Sequence, residues 1–300
     1  MSGTLVLVNT AAGGRRAGPF WEKLRRSAED LAAIRIESPA GAEASRRAVV
    51  AAVEAGCERV VAVGGDGTAH LVANAILGLG AAVTIGVLPA GTGSDLARVL
   101  GIPRDPHEAM RRALLGPPVA MDAGRCDTDT GSVFFINIAS AGIGGLVDEA
   151  VNAMPRRGRS AFLCATLAAL WRYTCIPVRV EADGAPFYEG PLFLLAVANG
   201  TTFGKGMRIA PQASVTDGLF DLVLVGEVAG LELVRRLPQV YFGRHMGARP
   251  VRHTRAREVG LQPLAPLPVF DVDGETYPSG RATFALLPGA LRVAGPLPPG

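Results

Sequence analysis

Three glycine-rich turns, each placed directly after a short apolar run, contain the residues best suited to binding phosphate. The turns are NTAAGG after residues 4–8, GGDGT after residues 59–63 and AGTG after residues 83–89. Glycine lets successive main-chain N–H groups converge on an anion, and a helix that starts after the turn adds its positive end. The GGDGT turn therefore predicts a site for a nucleotide phosphate chain. The alternative interpretation is a tight strand-to-helix connection capped by Thr68.

The third turn repeats the pattern one strand later, in the segment LPAGTGSDLAR. Ser94 or Asp95 could cap the helix that follows, and Asp95 could instead be a first-turn residue that favours the helix dipole. Turns from neighbouring parallel strands meet at the carboxyl edge of a sheet, where such sheets bind ligands. The two turns together therefore favour one shared ligand.

These turns require an alternation of strands and helices. Helical spacing of apolar residues predicts four helices, over residues 20–34, 42–55, 68–79 and 94–100. Alternation of this kind predicts a mostly parallel sheet covered on both faces. From about residue 119 the pattern changes to recurrent strand-like runs separated by Gly, Pro and Asp turns, with helical character only near 145–173 and 231–241. We expect a β-rich second domain, in which two sheets pack as a sandwich.

The predicted domains are an α/β domain over residues 1–122 and a β-rich domain over residues 123–300. In this division, the C-terminal end of the β-rich domain could return to the α/β domain.

Composition excludes several classes of protein. The 300 residues are 49% hydrophobic and 19% charged, which excludes disorder, collagen and a disulfide scaffold. Thirty Lys and Arg against 27 Asp and Glu leave a net charge of +3, too small to indicate a nucleic-acid partner. The four cysteines have no CxxC spacing, which disfavours zinc. The first residues lack the pattern of a signal peptide, and the longest apolar run, 161–171, is shorter than the ~20 residues of a membrane-spanning helix. We therefore expect a cytoplasmic protein.

The order of the motifs resembles the diacylglycerol-kinase catalytic domain family, which includes soluble bacterial lipid kinases, sphingosine kinases and ceramide kinases. The resemblance covers nearly the whole chain, because FINIASAGIG, VANGTTFGKGMRIAPQASVTDGLFDL and DVDGE follow the glycine-rich turns in the family's order. Three positions depart from commoner family residues: Thr10 replaces Pro, Ser94 replaces Asn, and Lys205 also differs.

The resemblance implies a Rossmann-like α/β nucleotide-binding domain, a C-terminal β-sandwich and an active site in the cleft between them. It implies ATP and Mg²⁺ as cofactors. The positions that fall where the family binds ATP are Asn9, Thr10, Ala11, Ala12, Gly13, Ser38, Gly64, Gly65, Asp66, Gly67, Thr68, Ala69, His70 and Thr92.

The same resemblance places the catalytic and metal residues in the second half of the chain. Glu275 falls at the family's proton acceptor, although Asp273-Gly274 alone would indicate only a hairpin turn. Asp217 through its carboxylate, and Ser214 and Leu219 through main-chain oxygens, fall at a magnesium site. The acidic residues that could support the site are Asp95 and Asp122.

A lipid substrate would require contact with a bilayer. Residues 154–177 and 235–257 combine arginines with apolar or aromatic residues and could dock on anionic headgroups. The alternatives are a helix that faces the core and a solvated arginine surface. We expect transient, peripheral contact at the inner membrane face, and a homodimer is compatible with the sequence.

These observations together favour an ATP- and Mg²⁺-dependent lipid kinase that acts on a diacylglycerol or a related lipid alcohol, in phospholipid biosynthesis. The sequence has no Walker A lysine and no HRD and DFG motifs, which disfavours P-loop and protein-kinase mechanisms. One alternative is a kinase of the NAD-kinase type with a soluble substrate, which shares the GGDGT turn. Another is a catalytically silent nucleotide-binding regulator, against which the retained Glu275 and Asp217 argue.

Overall fold

The chain divides into two compact units. In the computed structural model, the first unit comprises Met1–Met121 and Gly289–Gly300, and the second comprises Asp122–Pro288. The structure describes residues 3–26, 34–91, 94–146, 173–228, 230–266, 269–278 and 280–296.

A parallel sheet forms the centre of the first unit. Its strands run in the order β2-β1-β3-β4, and two residues of the last strand of the chain, Arg292 and Val293, pair in parallel with β4. The apolar β-branched runs form these strands because both faces of the sheet are covered, which leaves Val6, Val61 and Val63 fully buried. The strand bounds are β1 Thr4–Val8, β2 Arg35–Glu37, β3 Arg59–Gly64 and β4 Thr84–Pro89. The predicted parallel α/β architecture is confirmed.

Six helices accompany this sheet in the described residues. They are α1 Ala12–Arg15, α2 Ala17–Arg25, α3 Ala42–Glu54, α4 Asp66–Leu79, α5 Asp95–Val99 and α6 Pro106–Leu115. The prediction of a helix over 20–34 is wrong at both ends, because α2 begins at Ala17 and ends at Arg25, and Ile34 is not helical. The short strand β2 and helix α6 were not predicted. Asp105 starts α6 by accepting hydrogen bonds from the N–H groups of His107 and Glu108.

The second unit is built from antiparallel strands. One six-stranded sheet has the order β12-β11-β10-β7-β14-β15, and in the other sheet β13 lies between β8 and the first part of β16. The inner faces share one hydrophobic core, which includes Phe135, Phe220, Phe270 and Phe284. The predicted β-sandwich is confirmed. The strand bounds are β5 Pro118–Thr128, β6 Gly131–Phe135, β7 Ile138–Gly142, β8 Ile176–Ala182, β9 Ala185–Leu192, β10 Leu194–Ala198, β11 Phe220–Val225, β12 Val251–Ala256, β13 Glu258–Pro263, β14 Val269–Val272, β15 Glu275–Pro278 and β16 Ala282–Ala294.

The second unit also contains helix α7, Gly230–Tyr241, close to its predicted bounds. Most of the helical pattern predicted near 145–173 lies outside the described residues. Across the described ranges, no helix has both the length and the apolar character needed to cross a membrane.

The buried imidazole of His245 makes the stability of the fold depend on pH. His245 is 4% exposed, its Nε2 donates to the main-chain oxygen of Ile209 at 3.0 Å, and burial lowers its pKa. The unfolded chain takes up a proton near pH ~6.5, while the folded chain resists it, so stability is complete above that pH and is lost as the pH falls toward the folded pKa. We expect the thermal midpoint to fall less between pH 7.5 and 5.5 in His245→Gln than in the wild type. Parallel pH profiles of the two proteins would contradict this assignment.

Candidate active site

The three glycine-rich turns of the first unit contact one another at the carboxyl ends of β1, β3 and β4. A Cβ atom added at Gly91 would lie 2.6 Å from the Cα of Gly65, and one at Gly13 would overlap the main-chain oxygen of Ala90. Backbones approach this closely only where side chains are absent. The sheet therefore brings the three predicted phosphate turns together.

Asn9 joins the first turn to helix α4. Its Nδ2 donates to the hydroxyl of Thr68 at 2.9 Å, and its Oδ1 accepts from the N–H of Ala11 at 3.1 Å. The interpretation of Thr68 as the helix cap is wrong, because α4 begins at Asp66 and Gly65 is the N-cap, with no side-chain cap bond. A cap without a side chain leaves room for an anion at the positive end of the helix.

The carboxylate of Asp66, in the second glycine-rich turn, binds the start of the helix that follows the third turn. This carboxylate accepts hydrogen bonds from the N–H groups of Asp95 at 3.1 Å and Leu96 at 3.2 Å, and so caps helix α5 from the neighbouring turn. Of the predicted roles, Ser94 as the N-cap residue and Asp95 as a first-turn residue are confirmed, but the side chain of Ser94 makes no cap bond. The buried Asp95 pairs with Arg98 at 2.6 Å. The carboxylate of the second turn thus fixes the helix that follows the third.

We expect Asp66→Ala to lower the free energy of unfolding by about 1–2 kcal/mol, the usual cost of a lost N-cap, and to weaken nucleotide binding about ten-fold. The reason is that α5 and the third turn lose the carboxylate that holds them. Thermal denaturation and nucleotide titration measure the two effects. Glu43→Ala, which removes an exposed carboxylate from α3, is the control; equal nucleotide affinity in Asp66→Ala and wild type would remove the second turn from the site.

The other predicted ATP-binding residues differ in accessibility. Ser38 is exposed and directly follows β2, at the same sheet edge as the turn after β1. His70 is buried within α4 beside Asn74, and Ala69 is buried as well. Thr10, Ala11 and Gly67 are exposed, whereas Ala12, Gly13 and Gly65 are half-buried and Gly64 is buried. Thr92 lies outside the described residues.

Ser94 has a left-handed main-chain conformation, with φ 55° and ψ 40°. Asn adopts this region more readily than other non-glycine residues, because its side chain hydrogen-bonds locally. Ser94 replaces the Asn that the family resemblance leads us to expect, and its backbone conformation is one that favours Asn.

In the second unit, the acidic motifs lie at one edge of the six-stranded sheet. Ala198 at the end of β10 pairs with Ile138 at the start of β7 and with Asp221 near the start of β11. Val272 at the end of β14 pairs with Glu275, the first residue of β15. The antiparallel register therefore places the DVDGE turn and the TDGLFD loop at the same edge, on different strands.

The DVDGE segment is a β-hairpin with a two-residue turn. Asp273 and Gly274 have φ values of 54° and 89°, the left-handed values of a tight hairpin turn. The carboxylate of Asp273 accepts from three consecutive N–H groups, those of residues 136–138, at 2.8–3.0 Å. Asp271 accepts from the N–H of Gly274 at 2.7 Å. Two carboxylates thus fix the turn, and the third, Glu275, is exposed.

The phenol of Tyr277 lies near the carboxylates of this turn. Burial raises the pKa of Tyr277, and the negative charges of Glu275 and Asp273 raise it further. The turn therefore carries negative potential, which favours a cation or a proton donor.

Asp122 holds the TDGLFD loop from both sides. Its main-chain N–H donates to the oxygen of Val215 at 2.7 Å, and its carboxylate accepts from the N–H of Gly218 at 2.8 Å. Within the loop, Asp217 accepts from the N–H of Leu219 at 3.2 Å and lies 3.8 Å from the guanidinium of Arg255. The Oγ of Ser214 lies 3.3 Å from the hydroxyl of Thr216. The loop is therefore ordered by its own hydrogen bonds and by Asp122.

Comparison with known proteins identifies the family. The description "Diacylglycerol kinase catalytic domain" matches residues 3–126, and "YegS C-terminal NAD kinase beta sandwich-like domain" matches residues 137–295. The chain belongs to the diacylglycerol kinase family of lipid kinases. The resemblance seen in the sequence is thereby confirmed.

Several members of this family are similar to this chain over most of their length. A "Probable lipid kinase YegS-like" of Chromohalobacter salexigens is 34% identical over 82% of this chain and 78% of its own. A diacylglycerol kinase of Mycobacterium tuberculosis is 33% identical over 84% of this chain and 81% of its own.

Solved structures with lower sequence identity share the fold. A diacylglycerol kinase from Bacillus anthracis superposes with a TM-score of 0.74 at 19% identity, covering 98% of this chain and 97% of its own. An NAD kinase from Archaeoglobus fulgidus in complex with ATP has a TM-score of 0.53 at 14% identity, and the match covers 98% of this chain and 94% of the NAD kinase. The second comparison shows that this chain and that NAD kinase share a fold.

The residues implied to bind magnesium have suitable chemistry for this lipid kinase. One carboxylate and two main-chain carbonyls are hard oxygen ligands of the kind that Mg²⁺ prefers. Within the described ranges, there is no cluster of three or more His, Cys, Asp or Glu side chains that could hold a metal. Any cation held by the TDGLFD loop would therefore depend on main-chain oxygens.

Proposed function

We infer that this family member transfers the γ-phosphoryl group of ATP to the hydroxyl of a diacylglycerol or a related lipid alcohol. The observation that carries the proposal is the hairpin of the second unit. Of its three carboxylates, those of Asp271 and Asp273 are occupied by hydrogen bonds, and Glu275 is exposed on a rigid turn. A carboxylate held in this way can accept the proton of an attacking hydroxyl.

The phosphates of ATP bind to the turns of the first unit. The close approach of Gly65 and Gly91 supports this role, because such turns expose main-chain N–H groups beside the start of α4. Asn9 and Thr68 orient the first turn against that helix, and Asp66 fixes the third turn. Phosphoryl transfer depends mainly on positioning and charge neutralisation, which a set of interlocked turns provides.

Glu275 acts on the acceptor rather than on the nucleotide. A lipid primary hydroxyl is a weak nucleophile, so a carboxylate within hydrogen-bond reach assists by taking its proton. The new bond between the lipid oxygen and the γ-phosphorus forms as the bond from that phosphorus to the bridging oxygen breaks, and ADP leaves with the bridging oxygen. The hairpin hydrogen bonds keep the Glu275 backbone in place during this transfer. The protonated carboxyl then returns the proton to water.

Mg²⁺ would be held by Asp217 and by the main-chain oxygens of Ser214 and Leu219. There it would supply positive charge and would stabilise the conformation of the loop. Arg255 lies close enough to Asp217 to compensate part of its charge when the loop holds no cation.

Transient contact with a bilayer involves the segment 235–257. Phe242 is 68% exposed and Tyr241 is 40% exposed, and the guanidinium of Arg244 lies 5.8 Å from the centre of the Phe242 ring. Leu237 and Val240 of α7 pack on the hydrophobic core, so the exposed aromatic pair Tyr241 and Phe242 provides the contact. The other basic segment, 154–177, lies outside the described residues except for its last five.

The test is phosphate transfer from γ-labelled ATP by the purified protein. The acceptors are diacylglycerol, monoacylglycerol, ceramide, sphingosine and phosphatidylglycerol in mixed micelles, with NAD as the soluble acceptor. We expect label in at least one lipid and none in NAD. Label in NAD alone would support the NAD-kinase alternative. Binding of ATP with no transfer to any acceptor would support the silent regulator and contradict the proposal.

A further inference from the structure

A buried asparagine connects the two acidic elements of the second unit. Asn199 directly follows β10 and is fully buried. Its Nδ2 donates two hydrogen bonds, to the main-chain oxygens of Asp122 and Ile136, both at 2.9 Å. Its main-chain N–H donates to the oxygen of Asn137, also at 2.9 Å. One residue thus holds two chain segments that lie 63 and 77 residues away in sequence.

The first of these bonds leads to the loop that carries Asp217. Asp122 is 3% exposed, and it binds the loop through both its main-chain N–H and its carboxylate, at Val215 and Gly218. A shift of the Asp122 backbone would therefore move the segment that carries Asp217. Asn199 fixes this backbone by binding its carbonyl.

The second bond leads to the hairpin that carries Glu275. The main-chain oxygen of Ile136 is held by Asn199, while the N–H groups of residues 136–138 bind the carboxylate of Asp273. Asp273 is two residues before Glu275 and has a left-handed conformation that these bonds maintain. Movement of residues 136–138 would release the turn.

The chemistry of this position requires a side-chain amide. A primary amide offers two N–H donors on one nitrogen, which allows it to bind two carbonyl oxygens at once. Alanine offers no donor, and serine offers one. Loss of the donors would remove one hydrogen bond from each of two buried main-chain carbonyls, which destabilises the local arrangement.

We propose that Asn199 is a positioning residue for the phosphoryl transfer, because one buried amide holds both the Asp217 loop and the Glu275 hairpin. This inference rests on the proposed function. Asn199 touches neither the nucleotide nor the acceptor and acts through Asp122 and Ile136.

Two measurements on Asn199→Ala and Asn199→Ser test the inference. The first is amide hydrogen exchange of the free protein, followed at residues 136–138 and at Gly218, whose N–H groups bind Asp273 and Asp122. We expect faster exchange at both places, about ten-fold in Asn199→Ala and less in Asn199→Ser, which keeps one donor. The second is lipid phosphorylation, in which we expect kcat to fall about 20-fold with the KM for ATP within two-fold of wild type.

The control is Tyr188→Phe, which removes a 2.7 Å hydrogen bond to the main-chain oxygen of Pro191 elsewhere in the same unit. It should lower the thermal midpoint while leaving kcat and exchange at the two places unchanged. Faster exchange at only one place, or an unchanged kcat in Asn199→Ala despite a lower thermal midpoint, would overturn the inference. A wild type that phosphorylates no lipid would contradict the proposed function, and the exchange data would still decide whether Asn199 couples the loop to the hairpin.

Discussion

Replacement of Glu275 by glutamine is expected to lower kcat about 10³-fold and to leave the Kd for ATP within two-fold of wild type. The amide has nearly the same shape as the carboxylate but cannot accept the hydroxyl proton, and proton transfer of this kind contributes 10²–10⁴-fold to rates. The nucleotide affinity is retained because the phosphates bind to the turns of the first unit. The hairpin is also retained, since Asp271 and Asp273 hold it.

Single-turnover transfer from labelled ATP to lipid measures the effect, with ATP binding measured by titration calorimetry. The matched control is Glu181→Gln, which neutralises an exposed carboxylate on β8. A Glu275→Gln protein that retains a third of the wild-type kcat would remove Glu275 from the role of proton acceptor. A loss of ATP affinity comparable to the loss of kcat would instead place the carboxylate on the nucleotide.

The Gly91→Ala substitution is expected to weaken ATP binding about 100-fold. The new Cβ would lie 2.6 Å from the Cα and 3.2 Å from the N of Gly65, so the second and third turns would have to separate. Separated turns no longer direct their main-chain N–H groups at one phosphate chain, and each hydrogen bond lost to a charged phosphate costs about 1.5–3 kcal/mol, which is about ten-fold or more in affinity. Gly91 does not have a left-handed φ, so the expected loss comes from space rather than from backbone strain.

Gly78→Ala is the control for this substitution. Gly78 is exposed on α4, and a Cβ added there meets no atom within 4 Å. Alanine in a helix interior is favoured over glycine by about 0.5–1 kcal/mol, so this variant should be slightly more stable and bind ATP normally. Equal ATP affinity in Gly91→Ala and Gly78→Ala would show that the approach of the two turns does not form the phosphate site.

The parallel sheet and its turns could be predicted because their signals are local. The apolar runs at 4–8, 59–63 and 83–89 are long enough to identify as strands, and each glycine-rich turn follows its strand directly. Asp273-Gly274 likewise predicts its hairpin, since few other pairs tolerate two left-handed residues in succession. The short strand β2 gave no such signal, because three residues carry too little pattern to be recognised.

The roles of individual polar side chains could not be predicted in the same way. Asp66 lies in a glycine-rich turn, but its carboxylate binds N–H groups 29 and 30 residues further along the chain. Asp273 binds residues more than 130 positions away. The sequence around Asn199 does not indicate that its side chain binds two distant segments of the chain. These partners depend on which strands become neighbours.

The amino-acid sequence alone therefore determined the order of strands and helices, the glycine-rich turns and the family resemblance. The tertiary structure decided which carboxylates of the DVDGE hairpin are occupied by main-chain N–H groups, those of Asp271 and Asp273, and which one, Glu275, is exposed. The physical reason is that propensity and periodicity act over a few neighbouring residues, whereas a buried carboxylate or amide is satisfied by whatever main-chain groups the packed sheets bring within 3 Å of it.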